Sequence, residues 1–209
     1  TPRPDGSLGL LYLAGALREI GIEADLIDAT VGTPQDRLED TFYRNEPLPN
    51  GLVRIGMSSK RLEEVIRQGK YDIVCINSNF TPQTNMAFEV ARIVRKVDWY
   101  TLVVAGGINA RNMWQKFMST GLFDLICMTE GEKIIKDIAH RWTDSLGFLG
   151  IPGTICWYNH RTYVFPAKPD TISTNLDELP FPAWDKLPFE KYDKIASPHG
   201  VDLTEKQRY

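Results

Sequence analysis

Four short stretches of this 209-residue chain carry residue types suited to holding a ligand. One is Asn77-Ser78-Asn79-Phe80-Thr81-Pro82: small amides and hydroxyls, with one large apolar ring among them. It sits between an apolar run and a helical pattern, where side-chain oxygens and backbone N–H groups can face a bound molecule. Thr81 can also cap the following helix, with Pro82 in its first turn; both roles are compatible. The second stretch is Gly106-Gly107-Ile108-Asn109. Two glycines in a row let the backbone approach a bulky ligand, or simply make a turn that needs positive φ. The third is Thr129-Glu130-Gly131-Glu132, either a ligand contact or a helix start with acids in its first turn. The fourth is Asp28, which could bind ribose hydroxyls or serve as a turn acid. No nucleophile–base pair stands out, so no catalytic residue is assigned. His140, His160 and His199 are scattered, without a His, Cys or carboxylate at metal spacing, so no metal ligand is assigned. Neither GxGxxG nor GxxxxGK[ST] occurs, which removes the dinucleotide fingerprint and the P-loop.

These stretches fall at the ends of predicted strands. Leu8 to Ile20 is apolar at helical spacing and ends before Gly21. Glu23 to Ile27 reads as a short strand ending at Asp28, and residues 31–53 as loop. Ser58 or Ser59 caps a helix through Gln68, stopped by Gly69. Tyr71 to Ile76, Thr101 to Ala105 and Phe123 to Met128 are β-branched or apolar runs, as expected of strands buried on both faces. Gln83 to Val97, Ala110 to Ser119 and Gly131 to Trp142 read as the intervening helices. Short strands alternating with helices predict β-α-β units, right-handed crossovers and a doubly wound parallel α/β sheet. Ligands bind such sheets beyond the carboxyl ends of the strands. Thr154 to Tyr158 and Thr162 to Phe165 read as a β-hairpin through Asn159-His160-Arg161. Trp157, Tyr158, Tyr163 and Phe165 then either pack on the sheet or form an interface. Residues 166–198 hold six prolines and read as a stiff extended linker. The predicted division is a doubly wound domain over 1–148 and a hairpin-plus-linker over 149–209.

Composition narrows the class. At 43% hydrophobic and 24% charged the chain is neither disordered nor fibrous. Lys plus Arg number 24 against 27 Asp plus Glu, a net charge of −3; no basic footprint for nucleic acid or an anionic membrane exists. No apolar run reaches the roughly 18–20 residues of a bilayer span, and the opening Thr1-Pro2-Arg3-Pro4-Asp5 is no signal peptide. Cys75, Cys127 and Cys156 fit no disulfide framework or metal knuckle and read as small buried hydrophobes. A reducing, cytoplasmic location is expected.

In this order the segments resemble the N-terminal cobalamin-binding domain of cobalamin-dependent radical SAM enzymes, which include methyltransferases and anaerobic cyclases acting on Mg-protoporphyrin monomethyl ester. The resemblance rests on Pro4 to Ala14, Ala24 to Asp28, Asp72 to Thr81, Val103 to Asn109 and Glu130-Gly131-Glu132. Its most specific piece is Leu176-Asp177-Glu178-Leu179-Pro180-Phe181-Pro182-Ala183-Trp184-Asp185. It spans roughly residues 2–195. It implies that the strand-end residues Asp28, Asn77, Ser78, Asn79, Phe80, Thr81, Gly106, Gly107, Asn109, Glu130 and Gly131 bind cobalamin. The corrin would lie over the strand ends, with the nucleotide tail passing Gly106 and Gly107.

Three departures shape what the resemblance implies. The family's CxxxCxxC motif for a 4Fe–4S cluster is absent. The cluster, S-adenosylmethionine and the substrate would therefore belong to a radical SAM domain of the same parent chain, and this segment alone would catalyse nothing. The family's first strand normally precedes the Pro4 loop, yet only three residues stand before it; an omitted strand is expected. The DxHxxG motif that supplies a lower cobalt ligand is also absent: Asp28-Ala29-Thr30-Val31-Gly32 has no His. Base-off cobalamin without a protein ligand is expected, its lower face toward Asn77 to Phe80. Two further readings stay open: a flavin- or sugar-nucleotide-binding Rossmann-like domain using Asp28, and a non-catalytic cobalamin carrier or sensor.

Overall fold

The computed structural model describes residues 7–49, 51–143 and 147–195. The segments 1–6 and 196–209, with His199 and the final charged residues, lie outside the described residues. Helix α1 (Leu8–Glu19) buries Leu11, Ala14, Gly15 and Ala16, a face of mostly small residues. A short antiparallel pair, β1 (Asn45–Pro47) and β2 (Val53–Ile55), forms inside the stretch expected to be loop. Helix α2 (Ser59–Gly69) starts as predicted, with the Ser58 hydroxyl accepting from the Arg61 N–H. It stops one residue later than predicted, because Lys70 rather than Gly69 takes the left-handed conformation, at φ 49°.

The main sheet is built from β3 (Ile73–Asn77), β4 (Leu102–Gly106), β5 (Leu125–Cys127), β6 (Thr154–Tyr158) and β7 (Arg161–Phe165), in that spatial order. β3, β4 and β5 are parallel. Helix α3 (Thr84–Val97) links the first two. The helix expected over 110–119 divides at Met113 into α4 (Ile108–Asn112) and α5 (Trp114–Met118). The hairpin does form, with Asn159 and His160 at positive φ in its two-residue turn. It is no appendage: β6 pairs antiparallel with β5, so one sheet crosses the boundary expected at 149.

Two apolar layers sandwich the sheet. One holds Val103, Ala105 and Ile126 against Phe88, Phe117 and Phe123. These three rings meet at centroid distances of 4.9 to 6.0 Å, edge-on and tilted as their quadrupoles favour. The other holds Val104 and Leu125 against Ile134 and Ile138 of α6 (Gly131–Thr143) and Ile151. Arg95 ties off the lower end: its guanidinium donates to Asp124 (2.6 Å) and to the carbonyls of Leu122, Trp99 and Thr101.

Two expectations need correction. Residues 22–28 form no strand and make no ladder, and among the described residues β3 has a partner on one side only. Tyr71 Oη–H donates to Asp25 at 2.8 Å across this margin, a side-chain link where ladder bonds are absent. Cys75, expected inside the core, is exposed at the surface of this edge strand.

The proline-rich stretch is also not a free linker. It forms three short 3₁₀ turns and α7 (Phe189–Ile195) and lies along α1. The Ala183 N–H donates to the Leu11 carbonyl at 3.0 Å. Gly15 faces the Phe181 carbonyl so closely that a Cβ there would collide with it. Arg18 grips Asp185 with two bonds of 2.8 and 3.0 Å, holding the exposed Asp185 carboxyl below its ordinary range. No helix among the described residues is long and apolar enough to cross a membrane.

Candidate functional site

The carboxyl ends of β3 and β4 meet side by side, with Asn77 opposite Gly106 in the register. Past them the two loops lock together. Ser78 N–H donates to the Gly106 carbonyl at 2.8 Å, and the Ser78 carbonyl accepts from the N–H groups of Asn109 and Ala110. The Ile108 N–H reaches the Asn79 Oδ1 at 3.4 Å. Helix α4 thus spends its first N–H groups on the neighbouring loop, so no free donor cluster is left there for a phosphate.

Beneath these loops, Ser78, Thr84 and Asn109 are buried together. Asn109 Nδ2 donates to Ser78 Oγ (2.8 Å) and Thr84 Oγ1 (2.9 Å); its own Oδ1 is buried without a partner. Ser78 and Asn109, expected to face a ligand, are therefore placed as struts of the loop. Thr81 is exposed and opens a 3₁₀ turn; its carbonyl accepts from Thr84 Oγ1 at 2.7 Å, so Thr81 supplies a backbone acceptor rather than the expected side-chain cap.

The two glycines differ. Gly107 sits at φ +93°, where a Cβ would lie 2.5 to 2.7 Å from oxygens of Asn77, Ser78 and Asn79. Its bareness serves loop packing. A Cβ on Gly106 would meet only Cys127 Cβ, at 4.0 Å, so Gly106 leaves open space on the sheet. Around that space the surface is exposed and mixed: Asn77, Asn79 and Thr81 are polar, while Phe80 is 64% and Ile108 60% exposed. Leu8 is also exposed, next to Ser7, whose hydroxyl accepts from Asn77 Nδ2 at 3.4 Å. Leu8 was not among the expected residues, and Ile108 entered only as a member of the Gly106–Asn109 stretch. Both look like ordinary members of an apolar helical pattern, and only their position at the strand ends marks them.

On the far side, Glu130 is exposed ahead of α6. Gly131 is where Leu13 of α1 packs, with 2.8 Å between Leu13 Cδ2 and a would-be Cβ. Asp28 is already engaged within the fold. One carboxylate oxygen accepts from the Thr30 N–H (2.8 Å) and the other from Tyr192 Oη (2.7 Å). Burial and the Asp28 charge push the Tyr192 phenol far up, so it stays a donor. Next to it, the buried Lys191 ammonium donates to the carbonyls of Val31, Thr33 and Asp36. Desolvation draws its pKa down. Asp36 accepts from Thr33 and from Arg61 (2.7 Å). Burial alone would raise its pKa; these bonds outweigh that and hold it low. Asp28 is thus part of a scaffold that fastens α7. Among the described residues, no group of three or more His, Cys, Asp or Glu is placed to hold a metal ion.

Comparison with known proteins adds the family. The model of the B12 binding domain matches residues 6–139. Cytidylyl-2-hydroxyethylphosphonate methyltransferase of Streptomyces wedmorensis is 24% identical over 235 residues, covering 100% of this chain and 42% of that protein. An uncharacterized methyltransferase of Pyrococcus horikoshii, PH0819, is 27% identical over 200 residues, covering 95% of this chain and 38% of the relative. The chain thus spans less than half the length of these relatives. Two solved structures share the fold. The cobalamin-dependent S-adenosylmethionine radical enzyme OxsB, with aqua-cobalamin and S-adenosylmethionine bound, superposes with TM-score 0.68 at 19% identity, covering 92% of this chain and 23% of that chain. The radical S-adenosylmethionine methyltransferase TsrM from Kitasatospora setae, with cobalamin and a 4Fe-4S cluster bound, gives 0.62 at 20% identity, covering 96% and 30%. With well over half its length matched by the model, and a parallel sheet whose strand ends carry the open face described above, the chain belongs to the B12-binding domain family.

Proposed function

We propose that this chain is the cobalamin-holding module of a B12-dependent radical SAM methyltransferase. The observation that carries the reading is the open backbone at Gly106, ringed by exposed Asn77, Asn79, Phe80 and Ile108 at the carboxyl ends of β3 and β4. A corrin is a broad macrocycle with an apolar face and an amide-bearing rim. Exposed Phe80, Ile108 and Leu8 suit the face, and the Asn77 and Asn79 amides suit the rim. Gly106 lets a bulky group approach the sheet. Gly107, Ser78 and Asn109 hold the loop in shape from behind, so their contribution is positioning. Glu130 and Thr81 remain on the surface as candidate rim contacts.

Bound cobalamin would supply methyl-transfer chemistry; the chain's part is to seat and orient it. We infer a base-off state without a protein ligand to cobalt. His140 lies in α6 and His160 in the hairpin turn, both away from the β3 and β4 ends. The 4Fe–4S cluster and S-adenosylmethionine would be held by a companion domain of the same parent chain, and the isolated module would turn over no substrate. Its location would be cytoplasmic, and neither nucleic acid nor membrane would be a partner. The nucleotide alternative loses its ribose acid, because Asp28 is engaged by Tyr192 and Thr30.

The test is an absorption titration of the purified chain with hydroxocobalamin, followed by gel filtration. Co-elution with a base-off spectrum is the expected result. Co-elution in the base-on form would keep the ligand and overturn the His-off geometry. A folded chain that retains no cobalamin would overturn the reading.

A further inference from the structure

The segment after Leu179 is two-sided. Pro180, Ala183, Leu187, Pro188, Lys191 and Tyr192 are buried against α1 and the loop after Asp28. The opposite side shows Phe181 at 91% exposure, Trp184 at 50% and Phe189 at 36%. Trp184 and Phe189 touch ring to ring at a centroid distance of 5.7 Å. The backbone that carries these rings is held by the Ala183–Leu11 hydrogen bond, the Arg18–Asp185 grip, the Lys186–Glu23 ion pair at 2.6 Å and the Tyr192–Asp28 bond. Pro180 and Pro182 stiffen it on both sides of Phe181. Such an anchored display of aromatic rings loses little conformational freedom on docking, the property that makes an aromatic side chain a strong anchor.

We propose that the Phe181–Trp184–Phe189 ridge is the seat of a companion domain that belongs to the same parent protein. The proposal rests on the module reading above. Its occupant follows from two observations. The curated relatives each carry more than half of their length outside the matched part. And α7, which continues the ridge, ends at Ile195 in the apolar cluster of Leu11, Val31 and Leu187, alongside the loop that follows Asp28. The ridge thus continues an element already fastened to the module, and its exposed rings offer a preformed apolar seat to a domain carried in that further length. The aromatic hairpin is a poorer seat. Tyr163 stacks on Phe165, at 6.5 Å between ring centres, and Trp157 and Tyr158 line a cleft with Trp99 and Trp142 at the amino ends of β4 and β5.

Hydroxyl-radical footprinting of the full-length gene product beside the 209-residue chain tests this. Phe181 and Trp184 should be oxidised about fivefold or more slowly in the full-length protein. Phe181→Ser in the full-length protein should return Trp184 to its rate in the short chain. The same substitution in the short chain should shift its melting temperature by no more than about 1 °C, since the side chain is already in solvent. Equal labelling of both proteins overturns the proposal. So does a short chain that dimerises on gel filtration and loses the dimer with Phe181→Ser, because the occupant is then a second copy. Cobalamin uptake is read on the same samples: uptake without protection overturns the ridge alone, and protection without uptake supports the ridge while overturning the cofactor reading.

Discussion

At the ends of β3 and β4, Asn77 and Asn79 stand in solvent beside Phe80 and Ile108, and Gly106 leaves the sheet bare. Along α1 and the loop after Asp28 the key charged groups are engaged with one another. Arg18 holds Asp185, Arg61 holds Asp36, Tyr192 holds Asp28, and Lys191 gathers three carbonyls. Both regions are rich in residues that a sequence reader would nominate for binding. They differ in what remains open once the chain has folded. A carboxylate with two fixed donors belongs to the scaffold, whereas an exposed amide beside an exposed ring at a strand end is available to a ligand.

Substitutions at the glycines separate the two regions most sharply. Gly15→Val pushes a branched side chain into the Phe181 carbonyl. It should cost about 3 kcal/mol or more as the clamp lifts from α1, seen as a lowered denaturation midpoint. Gly106→Ala, with nothing nearer than 4.0 Å, should leave stability within about 0.5 kcal/mol and act on cobalamin uptake alone. A large stability loss there would erase the distinction.

Lys191→Met comes next. Removing the ammonium leaves the carbonyls of Val31, Thr33 and Asp36 without their shared donor. A loss of about 2–3 kcal/mol is expected in chemical denaturation, with cobalamin affinity unchanged. Tyr192→Phe is milder, at about 1–2 kcal/mol, because Asp28 keeps the Thr30 N–H.

Acid should loosen the clamp before the sheet. Asp36 titrates below its unfolded value, so its contribution is fully present above the ordinary aspartate range and fades as pH falls through the depressed folded value. Hydrogen exchange should show the 28–36 loop and α7 opening on acidification while β4 and β5 stay protected. Simultaneous loss of both would show that the clamp and the sheet form one cooperative unit. The smallest effect on stability belongs to Phe80→Ser, within about 0.5 kcal/mol, together with an affinity loss for cobalamin on the order of tenfold.

Much of this was legible in the chain. Continuous apolar runs marked β3 and β4, helical patterns marked α3 and α6, and two short runs around Asn159-His160-Arg161 marked the β6–β7 hairpin. The strand-end rule then named Asn77 to Thr81 and Gly106. The short β1–β2 pair was missed because Asn45-Glu46-Pro47 has no alternating apolar face. The break at Met113 was missed because no Gly or Pro marks it.

By itself, then, the sequence determined the α/β alternation and the parallel core and pointed to the strand ends as the candidate ligand face, because these follow from residue spacing along a few turns or strands. Only the tertiary structure decided which residues at that address are free. Ser78 and Asn109 are turned inward by their mutual hydrogen bond. Asp28 is claimed by Tyr192, 164 residues away, and the proline-rich stretch is fastened to α1 instead of extending into solvent. Each of these outcomes depends on partners that come together only when distant segments pack, and a desolvated polar group takes whichever partner packing provides.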